Sequence, residues 1–376
     1  MPDTILKPAF NHNNIPVALS SDNNYASYLA VTIKSIIANA SAKYNYDIVI
    51  LEKSISDIYK KLILKMITTK NISIRFVNIS KLIQNHKFHL NTYFSEETYY
   101  RLFIPTIFKN FDKVIYLDCD LIVLHDLSEL YTTNLNNNIL AATWNVSTLI
   151  QTKYNLPVKN TPWKAYLRDQ LHLTIPENYF QAGVLLLNIN EMKKERIQEK
   201  AIILAESFNP ILVDQDILNS LCQNKIIFFS QKWNFHNNFS TQYNNMNSIS
   251  ELPENIKTSY LEAKKNPFII HYAGSVKPWH SPNLEYSDHW WHYARMTPFY
   301  EEILFKNLNS RNRNANNAID LTLVRETANY LKNKITYWRY RLLSKITFGK
   351  KRRKYKQKRK ELKTRLKQVR AFLKGK

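Results

Sequence analysis
The sequence predicts an α/β protein with a mostly parallel sheet, on two observations. From residue 16 to residue 117, short apolar runs alternate with segments whose apolar residues recur at helical spacing. That β-α-β-α-β order builds parallel sheets. The 376 residues are also 44% hydrophobic and 22% charged, a globular composition able to bury a sizeable core.

The elements follow in order. Residues 16–20 (PVALS) read as a buried strand, and 25–40 as a helix through Leu29, Ile33, Ile36 and Ile37. Residues 46–51 (YDIVIL) are strand-like. Ser56 can cap a helix that runs to about residue 69 through Ile58, Leu62 and Met66. A strand at 72–79, a helix near 96–104 and a strand at 113–117 complete the first half. In such sheets ligands gather at the carboxyl ends of the strands. The second half predicts strands at 139–144, 183–189, 226–229 and 268–272, with helices at 191–208 and around 216–222. No internal repeat is visible.

The polar stretch 307–317 (NLNSRNRNANN) reads as a linker, which gives a globular domain over 1–305, a linker and start of a tail helix over 306–330, and a tail over 331–376. Leu331, Ile335, Trp338, Leu342 and Ile346 recur at helical spacing. Beyond Gly349, so do Leu362, Leu366, Val369 and Phe372. Residues 332–376 hold 20 Lys and Arg against Glu361, about +19; the remainder is about +4. The tail therefore carries the net charge.

Only four glycines occur, Gly183, Gly274, Gly349 and Gly375, so neither a G-x-G-x-x-G dinucleotide loop nor a P-loop can be spelled. Gly183 and Gly274 are expected where only a glycine backbone fits. Two cysteines, Cys119 and Cys222, make no disulfide framework and suit a reducing compartment. The first 22 residues show no basic segment ahead of an apolar run, which predicts no export leader. Nor is any apolar run long enough to span a membrane.

Four segments could carry chemistry. In Val114–Val123 (VIYLDCDLIV), Asp118 and Asp120 interrupt an apolar strand. Residues two apart in extended chain share a face, and two buried like charges need a cation or other partners. Mg²⁺ or Mn²⁺ would serve and leave sites for phosphate oxygens; equally, the strand could end there with both acids in water. In FIIHYAGSVKPWH, His271 could complete a metal site, Gly274 could admit a phosphate and Lys277 could supply it a charge. A core histidine and a surface lysine would read the same. In YFQAGVLLLN, Gly183 opens a buried strand, with or without a ligand. Asp214 or Asp216 in DQD could cap the following helix, or Asp214 and Gln215 could face a sugar.

Six blocks, LSSDNNYASYLAVTIKSI, TYYRLFIP, DKVIYLDCDLIV, YFQAGVLLLNI, VDQDILN and HYAGSVKPWH, occur in that order between roughly residues 17 and 280. Together they resemble glycosyltransferase family 8, and within it the bacterial lipopolysaccharide and lipooligosaccharide galactosyl- and glucosyltransferases. The resemblance implies a GT-A fold, with a Rossmann-like nucleotide-binding domain and a mixed central sheet. It implies Mn²⁺ or Mg²⁺ held by Asp118, Asp120, His271 and a UDP diphosphate. For a UDP-galactose or UDP-glucose donor, it implies that Ser20, Asp22, Asn24 and Cys119 contact the nucleoside and that Gly274 and Lys277 clamp the diphosphate. It implies Arg101, Asn145, Gln181, Ala182 and Asp214 around the sugar. Gln215 matches the residue beside the anomeric carbon, on the face away from UDP, so Gln215, Asp214 and Arg101 are the candidate catalytic set of a retaining hexosyltransferase. The implied acceptor is a lipopolysaccharide, lipooligosaccharide or other cell-surface glycan. Two positions depart from the pattern: Gln181 stands where relatives often carry Asn, and Asn145 where some carry Asp. Both amides still hydrogen-bond hydroxyls, and they leave galactose or glucose open.

The tail, with Trp338 between Tyr337 and Tyr340 and the run KKRRKYKQKRK, matches an amphipathic helix at an anionic membrane surface. The expected location is cytoplasmic, on the inner face of the cytoplasmic membrane. Two rivals are a UDP-binding relative without activity and a nucleic-acid-binding protein reading through its tail. The near-neutral body argues against nucleic acid, and none is expected as a partner.

Overall fold
In the computed structural model, which describes residues 5–90, 94–158, 161–236, 249–308 and 321–374, the first apolar run becomes strand β1 (Asn14–Ser20), buried along all but its first residue. Strands β2 (Asn45–Glu52), β3 (Ile72–Asn78) and β4 (Lys113–Leu117) come from the next three runs. β1 pairs in parallel with β2 and β4, and β2 with β3. Helices α1 (Ala26–Asn39) and α2 (Asp57–Leu64) connect the first three strands. Ser56 caps α2 as expected, accepting from the Tyr59 N–H at 3.5 Å. The helix ends well short of residue 69.

The apolar run does not continue past Leu117 as one strand. Asp118–Asp120 bend the chain into β5 (Leu121–Val123), which leaves the main sheet. The expectation of two carboxylates within a continuous strand is thus corrected. A sheet covered on both faces gives an ionised carboxylate no water, so the acids fall at a bend on its carboxyl edge.

Strands β6 (Leu140–Trp144), β7 (Phe180–Asn188) and β8 (Ile226–Phe228) complete a seven-stranded sheet of order β8-β6-β7-β4-β1-β2-β3. β7 runs antiparallel to β4 and β6, which makes the sheet mixed. Strand β9 (Ile269–His271) pairs antiparallel with β5. Gly183 is the fourth residue of β7 and does not open it.

Around the sheet lie α3 (Val146–Tyr154), α4 (Ile189–Lys194), α5 (Ile197–Ser207), α6 (Val213–Cys222), α7 (Glu254–Lys265) and α8 (Ser287–Ala294). The helix expected over 191–208 is two, broken where Arg196 takes a left-handed φ of 53°. The segment near 96–104 is a 3₁₀ helix, Glu96–Phe103. Its Tyr99, Tyr100 and Phe103 enter one core with Leu185 and Leu187 of β7 and Ile217 of α6. That shared core ties together the elements that bear the site.

The chain divides into two compact units, residues 1–303 and 304–376. In the second, α9 (Leu321–Ile346) and α10 (Gly349–Lys374) form a helical hairpin. Tyr340 stacks on Tyr355 at 5.7 Å and Arg341 lies 4.5 Å over Trp338. Gly349 turns the chain at a left-handed φ of 62°, the conformation glycine adopts without strain. Residues 309–320, most of the expected linker, lie outside the described residues, as do the side chains of Leu331, Ile335, Val369 and Phe372. Among the described residues no helix is long and apolar enough to cross a membrane.

Candidate functional site
The bend after β4, the start of α1, the head of α6 and the loop after β9 border one cavity of about 820 Å³. Every candidate site residue named from the sequence lines it.

At its floor Asp118, Asp120 and His271 converge, each offering a ligand atom within 4.8 Å of the others. His271 Nε2 lies 3.1 Å from Asp120 Oδ1 and 3.7 Å from Asp118 Oδ2. β5 and β9 bring them together, because Leu121 and His271 face each other across that ladder. Cys119 points the other way and donates its thiol to the Ser20 carbonyl at 3.0 Å. Lys277 Nζ pairs with Asp120 Oδ2 and donates to the Tyr272 carbonyl at 2.8 Å. Burial alone would raise the Asp120 carboxyl, but Lys277 and His271 hold it well below the usual carboxylate range. The loop carrying Lys277 is pinned by Trp279, which stacks on Tyr28 at 4.1 Å. Gly274 turns it at a φ of 93°, the backbone expected of a glycine.

Gly183 is needed for a different reason from the one its scarcity suggested. A Cβ there would sit 2.7 Å from Asp118 Oδ2, 2.8 Å from His271 Nδ1 and closer still to Cε1. The requirement is space for the cluster, not backbone freedom. Two carboxylates and an imidazole on a glycine floor, already compensated by an ammonium, fit a hard divalent ion with mixed oxygen and nitrogen ligands.

The other end of the cavity centres on Arg101. Its guanidinium is buried, 2.9 Å from both Asp118 Oδ1 and Asp214 Oδ2, and lies 4.2 Å over the Tyr116 ring. It also donates to Thr98 and Ala182 carbonyls. Burial would lower its pKa, but Asp118 and Asp214 raise it, so the charge is retained. Much of its hydrogen-bonding capacity is thus spent on holding two carboxylates. Asp214 accepts from the Thr98 hydroxyl, and burial pushes its carboxyl up to about 6 despite Arg101.

Neither acid of DQD is the N-cap of α6; that position is Leu212. Asp216 instead accepts from the Leu212 N–H at 2.7 Å and from the Tyr166 and Tyr179 hydroxyls, both at 2.5 Å. Gln215, between them, accepts from the Ala182 N–H at 3.0 Å and donates to the Tyr179 hydroxyl at 3.1 Å. The β-branched Val213 opens this turn at a φ of 45°, strained backbone of the kind functional sites retain.

Asp22 accepts from the Tyr25 N–H at 2.7 Å and from Asn24 at 3.0 Å, which fixes the start of α1 at the cavity's rim. Asn145 caps α3, accepting from the Thr148 N–H at 3.1 Å. Gln181 is held by the Gly183 N–H at 2.6 Å and by Asn234 at 2.5 Å. Sequence reasoning missed Asn234, Tyr179 and the structural part of Asp216. The one signal for Asn234 was a lone amide between Trp233 and Phe235.

Fold and site define the class: a GT-A glycosyltransferase with a DxD-like acidic pair that suggests metal binding. The profile described as glycosyl transferase family 8 matches residues 16–283, and the chain belongs to that family. It is similar to the lipopolysaccharide 1,2-glucosyltransferase of Escherichia coli (strain K12), 26% identical over 284 residues, 72% of this chain and 75% of the relative. Among solved structures, the apo bifunctional glycosyltransferase WbbM is 31% identical with a TM-score of 0.72 over 81% of this chain, which spans about half (53%) of that one. The galactosyltransferase LgtC, solved with donor and acceptor sugar analogs, is 25% identical with a TM-score of 0.58, over 76% of this chain and 96% of that one.

Proposed function
We propose that this protein transfers galactose or glucose from a UDP-sugar, with retention of anomeric configuration, onto a lipopolysaccharide, lipooligosaccharide or other cell-surface glycan. The observation that carries the reading is the convergence of Asp118, Asp120 and His271 within 4.8 Å on the floor of the cavity. These three residues would hold Mn²⁺ or Mg²⁺. Bound there, the ion would stabilise charge on the departing diphosphate.

The chain's own groups do the rest. Asp22 and Asn24, with Ser20 and Cys119, receive the nucleoside at the amino end of α1. Lys277 adds a positive charge beside the diphosphate, assisted by the glycine turn at Gly274. Arg101 holds Asp118 and Asp214 in fixed relation, so the metal end and the sugar end keep their spacing. Asp214, Gln181 and Asn145 offer hydrogen bonds to sugar hydroxyls. Gln215 flanks the anomeric carbon opposite UDP; an amide is a poor nucleophile, which favours attack on the leaving group's own face. The glycan acceptor is supported by the name of the Escherichia coli relative.

A UDP-sugar panel with and without Mn²⁺, read as UDP release, tests the reading. Transfer from UDP-galactose or UDP-glucose that needs the metal is the expected result. UDP binding without turnover on any acceptor would favour an inactive relative.

We further propose that the hairpin of α9 and α10 holds the enzyme peripherally on the anionic inner face of the cytoplasmic membrane. Trp338, Leu342 and Ile346 recur every fourth residue and are 52%, 62% and 63% exposed, in a segment of about +19. Apolar side chains among bases suit an anionic lipid interface. Co-sedimentation with anionic vesicles, against duplex DNA in one salt series, is expected to favour vesicles; a preference for DNA overturns the assignment.

A further inference from the structure
A chain of hydrogen bonds beneath the site has its direction set at one end by the backbone. The Gly183 N–H can only donate, and it meets Gln181 Oε1 at 2.6 Å. That fixes the Gln181 amide, so the Asn234 atom 2.5 Å from the same oxygen must be Nδ2. Asn234 Oδ1 then lies 2.9 Å from His271 Nδ1. A carbonyl oxygen only accepts, so Nδ1 must carry the hydrogen. His271 Nε2, the atom facing Asp118 and Asp120, is thereby left as the ligand atom. At the other end Gln181 Nε2 has no partner among the described residues, and the side chain lines the cavity. Asn234 itself is fully buried.

We propose that Asn234 is a positioning residue that acts on two groups at once: it fixes the His271 tautomer that presents Nε2 to a metal and, together with the Gly183 N–H, holds the Gln181 orientation that presents an N–H to the donor sugar. The inference rests on the function proposed above. A buried amide serves here because it is at once an acceptor toward the imidazole and a donor toward Gln181, which neither a carboxylate nor a hydrocarbon can be. Outer partners of this kind hold ligand rings in place and raise ligand basicity. Gln181 offers a donor, so the sugar hydroxyl opposite it must accept. Metal grip and hexose preference are linked through one side chain that touches neither ligand.

The test uses the full chain and two readouts: Mn²⁺ affinity with UDP present, from the free-ion paramagnetic resonance signal, and the ratio of kcat/KM for UDP-galactose and UDP-glucose. Asn234→Leu is expected to weaken Mn²⁺ binding about tenfold or more and to shift the hexose ratio. Asn234→Asp keeps the acceptor for His271 but loses the donor to Gln181, so the ratio shifts while Mn²⁺ binding holds. Gln181→Leu should change the ratio by about five- to tenfold for one lost hydrogen bond, and Mn²⁺ binding less than Asn234→Leu does. Unchanged Mn²⁺ affinity and ratio in folded Asn234→Leu overturn the inference while leaving the proposed function standing. Absence of Mn²⁺ binding by the wild type removes both. Should Asn234→Leu not fold, long-range ¹H–¹⁵N spectra of the wild type with Mg²⁺ and UDP decide, His271 being assigned through His271→Gln. Hydrogen on Nδ1 supports the proposal, and hydrogen on Nε2 overturns it.

Discussion
The chain holds two Asp-x-Asp sequences on one cavity, and they do opposite things. Asp118-Cys119-Asp120 occupies a bend between two strands, and its carboxylates converge on His271 while Cys119 turns back to Ser20. Asp214-Gln215-Asp216 lies in the first turn of α6, where residues two apart diverge around the axis. There Asp214 goes to Thr98 and Arg101, Asp216 to two tyrosines, and Gln215 between them lines the cavity. The first pair keeps side-chain exposures of 25% and 15%; Asp214 and Asp216 are 2% and 0% exposed. One pair is partly open to a ligand, with Arg101 beside Asp118 and Lys277 beside Asp120. The other is closed and its charge is already met by the protein. The backbone beneath a motif, more than the motif, decides which role it takes.

The contrast predicts that the two pairs fail differently. Asp120→Ala should lower metal-dependent transfer by about 10³-fold, roughly 4 kcal/mol of barrier, with the thermal unfolding midpoint little changed. Undiminished transfer in that variant would remove Asp120 from the metal site. Asp216→Ala should act on the fold: it strands two buried hydroxyls and an N–H at roughly 1–3 kcal/mol each, so a loss of about 3 kcal/mol or more is expected in denaturant titration. A stability equal to wild type would break the claim that this pair is structural.

Asp214 separates the two pairs again through pH. Its folded carboxyl lies near 6, above the ordinary 3.8, so its contribution favours the fold below pH 4 and is lost as the pH rises through 6. Against Asp214→Asn, the wild type should lose at most about 3 kcal/mol of relative stability between pH 4 and 7. A gap that does not change with pH contradicts this. The smallest effect is expected of Gly183→Ala, about 2 kcal/mol of overpacking. It should weaken Mn²⁺ binding alongside, since the new methyl meets His271 and Asp118; intact metal affinity would show that the floor can yield.

The order of strands and helices was legible because the apolar runs of β1 to β4 are long and separated by clear helical spacing. The sheet's mixed character was not readable from periodicity, because β7 is as apolar as a parallel strand; it followed from the family resemblance. The bend at Asp118 was hidden for the same reason, since the flanking VIYL and LIV both read as strand. The residues lining the cavity were reached through six ordered blocks. Their supports were not: Asn234, Tyr179 and Asp216 act through partners tens of residues away, and no local pattern records such contacts. Glycine scarcity pointed to the right positions, but Gly183 answers to side-chain crowding while Gly274 answers to backbone angle.

The proposed transfer requires a divalent ion shared by Asp118, Asp120 and His271 that grips a nucleotide's diphosphate. Calorimetric titration of UDP into the full-length protein, once with Mn²⁺ and once with chelator, measures that directly. Binding at least about tenfold tighter with the metal, a gain of about 1.4 kcal/mol, is the predicted result. Equal affinity in the two titrations would contradict it.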